Sequence, residues 1–181
     1  MKAIKQQQMD TLIEDIWLDF LHGASAESLY QSVVSSNWDG NDLLRQWILN
    51  HEYIDQAVIL AVYWMSGPAF AKQFKDEKDV LEQQSWYLEN FNFIEQLEAQ
   101  FLAGFWKKNT LAYDPAHDHN GYDWISEYSD LKQIRKIPAA MIQPLQGKVI
   151  KRDDAFEDGL PEPWLSQIWN LFDEYEVIDN T

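Results

Sequence analysis

The chain has 181 residues and a formal net charge of −16, from 30 acidic and 14 basic side chains; 46% of its residues are hydrophobic and 14% are aromatic. This apolar content is sufficient for a folded core and argues against disorder throughout the chain. Nucleic acid and anionic membrane surfaces are poor partners, because both are bound through clustered lysine and arginine. A basic protein is the natural complement of such a charge. There is no cysteine, which excludes disulfides and thiolate metal sites.

Apolar side chains at helical spacing predict a helical N-terminal half. The expected helices cover 9–21, 25–34, 42–50 and 53–65. Ser25 is a suitable N-cap for the second helix, as is Asp39 for the third, and we expect Trp38 to pack into the bundle. The fourth helix is apolar almost all round, which is typical of a helix at the centre of a bundle. Pro68 can begin a further short helix.

The second half of the chain is less regular. Apolar residues at every third or fourth position predict one long helix over 80–107. Turn-forming residues come next, and after them a further helix is predicted over 124–136. The remaining segments are an irregular connection over 137–147, a basic cluster over 148–152 that is either a short strand or an exposed loop, and a last helix from Pro161.

These elements predict an all-α fold, a multi-helix bundle with an irregular, loop-rich segment in its C-terminal half. We expect residues 1–108 to form a helical bundle domain and residues 109–181 to add the loop-rich segment and an acidic helix, packed on the same core. The longest apolar run, 57–65, is far shorter than the roughly 20 residues that span a bilayer. The N-terminus has no apolar segment of the kind found in signal peptides. We therefore expect a cytoplasmic protein.

Several motifs follow one another between about Phe20 and Phe74. They are Leu21-His22 before an alanine, Asn37-Trp38-Asp39-Gly40, Trp47-Ile48-Leu49-Asn50-His51, the run Gln56 to Trp64, and Ser66-Gly67-Pro68. Together they resemble an uncharacterised bacterial family defined only as a domain of unknown function, although a threonine is more usual around 57–61. The resemblance implies a small helical domain and gives no activity. Proteins of this kind often occur as acidic immunity partners beside bacterial toxins, which implies a binding role by analogy.

A loop rich in ligand-type side chains covers residues 114–123. If it is extended, His117 and His119 with Asp118 present the imidazole and carboxylate groups that bind divalent metals. This pattern favours a metal-dependent hydrolase as an alternative function. A calcium loop with Asp118, Asn120 and Glu127 as ligands and Gly121 at the turn is also possible, but Ala116 then occupies the first ligand position and offers no ligand side chain. The simpler interpretation is a polar loop held by its own hydrogen bonds.

No other pattern in the chain indicates catalysis. His22 and His51 are predicted near helix C-termini, where an imidazolium interacts well with the helix dipole. The chain has no cysteine nucleophile, no Gly-x-Ser-x-Gly motif and no glycine-rich phosphate loop. We therefore predict no catalytic residues, no metal and no cofactor.

Carboxylates accumulate after Arg152, where nine acidic and no basic residues occur among the aromatic side chains of the last helix. The leading hypothesis is a cytoplasmic immunity protein that binds and sterically neutralises a cationic toxin domain, with a nuclease as the favoured class. A regulatory or scaffold protein is a further alternative. The predicted partner-binding residues are Asp114, Asp118, Asp123, Glu127, Asp153, Asp154, Glu157, Asp158, Trp169, Asp173, Glu174 and Glu176.

Overall fold

A computed structural model describes residues 1–37, 41–130 and 132–178 of the chain. The predicted roles of Trp38 and Asp39 lie outside the described residues. The fold is mostly helical, so the all-α prediction is approximately right, although short strands are also present. The chain divides into two compact units, which are 1–43 with 153–181 and 44–152. We call the first the acidic unit, after its charge, and the second the central unit, because it is the middle part of the sequence.

The helices, in chain order, are α1 (Gln6–Gly23), α2 (Ala26–Ser35), α3 (Asp42–Asn50), α4 (Gln56–Met65), α5 (Pro68–Ala71), α6 (Glu77–Gln84), α7 (Leu88–Leu102), α8 (Trp124–Asp130), α9 (Ala139–Ile142) and α10 (Trp164–Glu174). The strands are β1 (Lys2–Lys5), β2 (Phe156–Glu157), β3 (Leu160–Pro161) and β4 (Tyr175–Ile178). Across the described residues, no helix combines the length and the apolar character needed to cross a bilayer.

The acidic unit is built around α1, α2 and α10. Ser25 caps α2 as predicted, since its hydroxyl oxygen accepts the backbone N–H of Ser28. A tight antiparallel hairpin of β2 and β3 carries Gly159 at φ +86°. A Cβ at this position would lie 2.8 Å from both the Trp17 ring and the Ser36 hydroxyl, so the hairpin requires glycine.

A parallel pair formed by β1 and β4, which the sequence patterns did not indicate, also belongs to the acidic unit. Its register places Lys2 opposite Tyr175 and Ile4 opposite Val177. Both strands have only four residues and flank helices directly, so neither produces the alternating apolar pattern by which strands are recognised.

Helix α4 is the core of the central unit, as its apolar sequence predicted: every residue from Ala57 to Trp64 is buried. The helix begins later than expected because Asp55 caps it. The fully buried Asp55 carboxylate accepts the Ala57 N–H and both the N–H and the hydroxyl of Thr110. A buried carboxylate with three donors is satisfied without a counter-ion, and it ties the start of α4 to the loop after α7.

The single long helix predicted over 80–107 is wrong. The segment forms α6, a 3₁₀ turn at Ser85–Tyr87 and α7, which ends at Leu102. The break begins at Gln84, whose φ of −148° and ψ of 62° are not helical, and α7 is followed by Gly104 at φ +71°. Val80, Tyr87, Phe91, Ile94 and Leu97 are all buried, so a continuous apolar pattern spans two helices.

The helix predicted over 124–136 is also too long, since α8 ends at Asp130. Further on, the backbone N–H groups of Ile134 and Arg135 both donate to the carbonyl of Lys72 rather than to a preceding helical turn. The guanidinium of Arg135 donates to the carbonyls of Phe74 and Ala71. Contacts with the end of α5 therefore replace the intrahelical hydrogen bonds.

These contacts belong to a network of ionised side chains centred on Lys72, which is 1% exposed. Its ammonium lies 2.6 Å from a Glu98 oxygen and 3.0 Å from a Glu95 oxygen. The Tyr63 hydroxyl donates to the second oxygen of Glu98 at 2.5 Å. Arg135 forms a bidentate ion pair with the carboxylate of Glu95, with N–O distances of 2.6 and 2.9 Å. Two cations and two carboxylates thus balance one another in the central unit.

The environment shifts several pKa values in this network. Burial, reinforced by the charge of Glu98, raises the pKa of Tyr63 well above its usual range, so its hydroxyl remains a proton donor. Burial alone would raise the pKa of Glu95, but hydrogen bonds from Arg135 and Lys72 outweigh it and lower that pKa. The network therefore keeps Glu95 ionised.

Because Lys72 is buried, removing one of its counter-charges should destabilise the fold strongly. We expect Glu98→Gln to lower the free energy of unfolding by about 3 kcal/mol, since a buried ammonium then loses its nearest carboxylate. The matched control is Glu82→Gln, because Glu82 lies 3.7 Å from Lys78 in an exposed pair. It should cost less than about 0.5 kcal/mol. Urea titrations followed by circular dichroism would measure both changes, and equal losses would contradict the prediction.

Candidate functional site

The twelve predicted partner-binding residues are divided between the two units. Asp114, Asp118, Asp123 and Glu127 lie in the central unit, in the loop before α8 and in α8 itself. The other eight lie in the acidic unit. Each unit therefore carries one group of candidate residues.

The two units differ sharply in charge. The acidic unit contains 16 acidic and 2 basic residues, a formal charge of −14, whereas the central unit contains 14 acidic and 12 basic residues, a formal charge of −2. Almost all of the net charge of −16 therefore lies in one unit. The numbers of acidic residues are similar in the two units, so the difference in charge arises mainly from the scarcity of basic residues in the acidic unit.

In the loop of the central unit, the predicted contact residue Asp118 is buried. One carboxylate oxygen accepts the backbone N–H groups of Asn120 and Tyr122, and the other accepts the indole N–H of Trp124 at 3.0 Å. Three donors fold the loop around this side chain. Asp114 similarly accepts the N–H of Ala116. The loop is held by its own hydrogen bonds, as its simplest interpretation predicted.

The outer side of this loop carries Asp123 and Glu127, both exposed. Asp123 accepts the backbone N–H of Ser126 in the first turn of α8, and Glu127 accepts the hydroxyl of Tyr122 at 3.0 Å. This hydrogen bond raises the pKa of Tyr122. Both carboxylates are thus engaged within the loop.

The histidines proposed as metal ligands have different environments. The His117 side chain is 81% exposed, whereas that of His119 is 4% exposed and lies beside Asn120, 2.9 Å from its amide nitrogen. Within 1–37, 41–130 and 132–178, no group of three or more His, Asp or Glu side chains is arranged to hold a metal ion.

His22 and His51 lie at the ends of α1 and α3, as predicted. Each imidazole donates an Nδ1–H to the carbonyl four residues earlier, at 2.6 Å to Leu18 and 2.7 Å to Trp47. Histidine side chains near a helix C-terminus can hydrogen-bond carbonyls of the final turns. Both histidines therefore have a structural role.

Helix α10 provides the second group of candidate residues. Its inner side packs on α1, where the Trp164 ring meets Phe20 edge to face at 5.4 Å and its indole N–H donates to Asp19 at 2.8 Å. Leu165 is buried on the same side. This anchoring fixes which side of α10 is turned outward.

Trp169 and Phe172 occupy the outer side of α10. They are 52% and 46% exposed, and their ring centroids lie 6.2 Å apart. The exposed carboxylates of Asp173 and Glu176 follow them along the chain. An exposed pair of large aromatic side chains with charged neighbours is characteristic of a protein interface, because such rings anchor contacts when they are desolvated.

The other candidate carboxylates of the acidic unit are also exposed. Asp153, Asp154, Glu157 and Asp158 lie at the β2–β3 hairpin. Of these, Asp153 accepts the backbone N–H of Ala155. Glu174 pairs with Lys2 at 2.6 Å, and this hydrogen bond raises the pKa of the lysine. Among the described residues, Lys2 and Lys5 are the only lysine or arginine side chains of this unit, so most of its carboxylates have no basic neighbour within it.

A shallow groove of about 280 Å³ lies in the central unit, between Phe70 and Phe74, three glutamine side chains, Lys132 and Ile134. Its charged lining residue is a lysine. Because a lysine repels a cationic partner, the groove is not a candidate for the surface that binds one.

Comparison with known proteins relates one segment of the chain to a family. Residues 24–102 match a domain of unknown function, DUF4274. The match overlaps the motifs between Phe20 and Phe74 and is consistent with their resemblance to an uncharacterised domain family. No match was found among curated proteins or among solved structures. The C-terminal part of the acidic unit, which carries Trp169 and Phe172, lies outside the matched segment.

Two features of the molecule were missed from the sequence. Lys72 was not singled out, although a lysine in the apolar stretch from Pro68 to Phe74 indicates a buried, paired charge. Phe172 was not among the predicted partner-binding residues, although its spacing of three from Trp169 places both on one side of α10.

The buried His119 generates a prediction about pH. Burial lowers its pKa from 6.5, and the charge of Arg152 acts in the same direction, while Asp118 opposes them. As the pH falls below about 6.5, the unfolded chain binds a proton at this residue that the folded chain does not, so stability decreases. An NMR titration of the His119 ring should give a lower pKa in the folded protein than in urea. Equal values in the two states would refute the assignment.

Proposed function

We propose that this protein is a cytoplasmic immunity protein that binds a cationic toxin domain and blocks it sterically. The observation that carries the proposal is the exposed Trp169–Phe172 pair on the unit that holds a formal charge of −14. The charge supplies attraction and the rings supply an anchor. Neither feature alone would distinguish a binding surface from an ordinary acidic surface.

The electrostatic part concerns the rate of encounter. Uncompensated negative charge concentrated in one unit produces a field that steers a positively charged protein and accelerates association by about 10- to 1,000-fold at low salt. A toxin that acts on nucleic acid needs clustered lysine and arginine to bind phosphates. A nuclease domain is therefore the class of partner that this field favours.

The inhibitory step follows from the same chemistry. Carboxylate oxygens such as those of Asp173 and Glu176 accept hydrogen bonds from the lysine and arginine side chains that would otherwise hold phosphate. Burial of the Trp169 and Phe172 rings against the partner then slows dissociation. A toxin held in this way has no access to its substrate, and the immunity protein needs no catalytic residue of its own.

The aromatic pair can be tested by measuring affinity for the product of the adjacent gene, the expected toxin. Trp169→Ala should weaken binding by about 30-fold or more, since a central interface tryptophan contributes about 2 kcal/mol or more. The matched control is Trp86→Ala, because Trp86 is 73% exposed but lies in the central unit. It should leave the dissociation constant within about twofold of the wild-type value.

Isothermal titration calorimetry at two salt concentrations, with stopped-flow measurement of association, would provide both readouts. Steering by the acidic unit requires association to slow as salt screens the charges. An adjacent gene product without a cationic cleft, or equal effects of the two tryptophan substitutions, would overturn the proposal.

A further inference from the structure

The parallel pair of β1 and β4 is a two-stranded sheet within the described residues. In a parallel pair, alternate residues of each strand direct their N–H and C=O groups at the partner strand, and the residues between them direct these groups outward. All four residues of β4 retain solvent contact, and Glu176, Val177 and Ile178 are exposed. Within the described residues no further strand pairs with the outer edge of β4, although the Tyr175 N–H already donates to the carbonyl of Leu171.

The two strands differ in the residues that protect an edge. Lysine on an edge strand discourages the addition of another strand, and β1 carries Lys2 and Lys5. Strand β4, with the sequence Tyr-Glu-Val-Ile, carries no lysine or proline and contains two exposed β-branched residues. Of the two strands, β4 is the one suited to pair further.

The charge of the acidic unit determines what can pair with β4. A second copy of this chain would bring another β4, with its Glu176 and the neighbouring Glu174, against the first, and like charges on adjacent strands repel. The same carboxylates attract a strand that carries lysine or arginine. We propose that an extended basic segment of the partner adds to the outer edge of β4 as a third strand. This inference rests on the proposed function and specifies how the partner is held.

The register of the sheet defines the sequence of that segment. Ile4 is buried and lies opposite Val177, so Tyr175 and Val177 belong to the inner face, and Glu176 and Ile178 to the outer face. A basic residue on the outer face of the added strand lies beside Glu176. An apolar residue on its inner face extends the layer formed by Ile4 and Val177. The partner segment thus alternates basic and apolar residues.

Strand β4 also lies close to the aromatic pair along the chain. Strand β4 begins at Tyr175, directly after α10 ends at Glu174 and three residues after Phe172. Backbone hydrogen bonds to β4 would supply affinity that does not depend on side chains, and Trp169 with Phe172 would supply the side-chain anchor.

A synthetic peptide tests the inference with the full chain. The probe is an acetylated and amidated hexapeptide of alternating valine and lysine, and the control probe has the same sequence with an N-methyl group on every backbone nitrogen, which removes the donors of both edges. The unmodified peptide should slow hydrogen exchange of the outward-facing amides in β4 by about tenfold. The N-methylated peptide should leave these amides unchanged.

A pair of charge reversals distinguishes pairing at β4 from nonspecific electrostatic attraction. Glu176→Lys should weaken binding of the unmodified peptide by about three- to tenfold, because a like charge then faces its lysines. Glu14→Lys makes the same change of charge at an exposed position of α1, outside the predicted partner-binding residues, and should weaken it by less than about twofold. Equal effects, or equal binding of the two peptides, would overturn strand addition. The adjacent gene product could still bind through Trp169 in that case, whereas failure of the proposed function would appear as loss of that binding.

Discussion

A buried ammonium group imposes the strongest constraint on the central unit. Lys72 cannot be solvated, so Glu95 and Glu98 of α7 must lie beside it, and Arg135 must compensate the second carboxylate. These requirements connect α5, α7 and the segment after α8, three parts of the chain with little regular hydrogen bonding between them. The hydroxyl of Tyr63 extends the same network into α4. Specific pairing of charge thus complements the apolar packing around α4.

The acidic unit, by contrast, carries a large uncompensated negative charge. Its 16 acidic residues have 2 lysines among them, whereas the central unit nearly balances 14 acidic with 12 basic residues. Uncompensated charge within one compact unit costs stability through self-repulsion. This cost is offset inside the unit by aromatic packing of Trp17, Phe20, Phe156 and Trp164. A cationic partner would relieve the repulsion, which gives binding a driving force that the isolated chain lacks.

The sequence predicted the helices best where a side chain marks their ends. The cap at Ser25, the start at Pro68 and the central position of α4 were all confirmed. Errors arose where tertiary contacts overrode periodicity, as at Ser85–Tyr87, where the apolar pattern continues through a break in the helix. The association of α1 with α10 joins distant parts of the chain, and a single sequence contains no local signal for it. For the same reason, the sequence did not indicate the burial of Asp118.

Solubility and recognition make different demands on an acidic surface. Solubility needs dispersed carboxylates and few exposed aromatic rings, because each exposed ring promotes nonspecific association. Trp169 and Phe172 contradict this requirement, and they do so in the unit where the charge is greatest. Their exposure is tolerated there because the surrounding carboxylates repel a second copy of the chain and most other acidic proteins. Under the proposed function, charge would select the partner by its sign, while the rings and the edge of β4 would supply the short-range contacts that hold it.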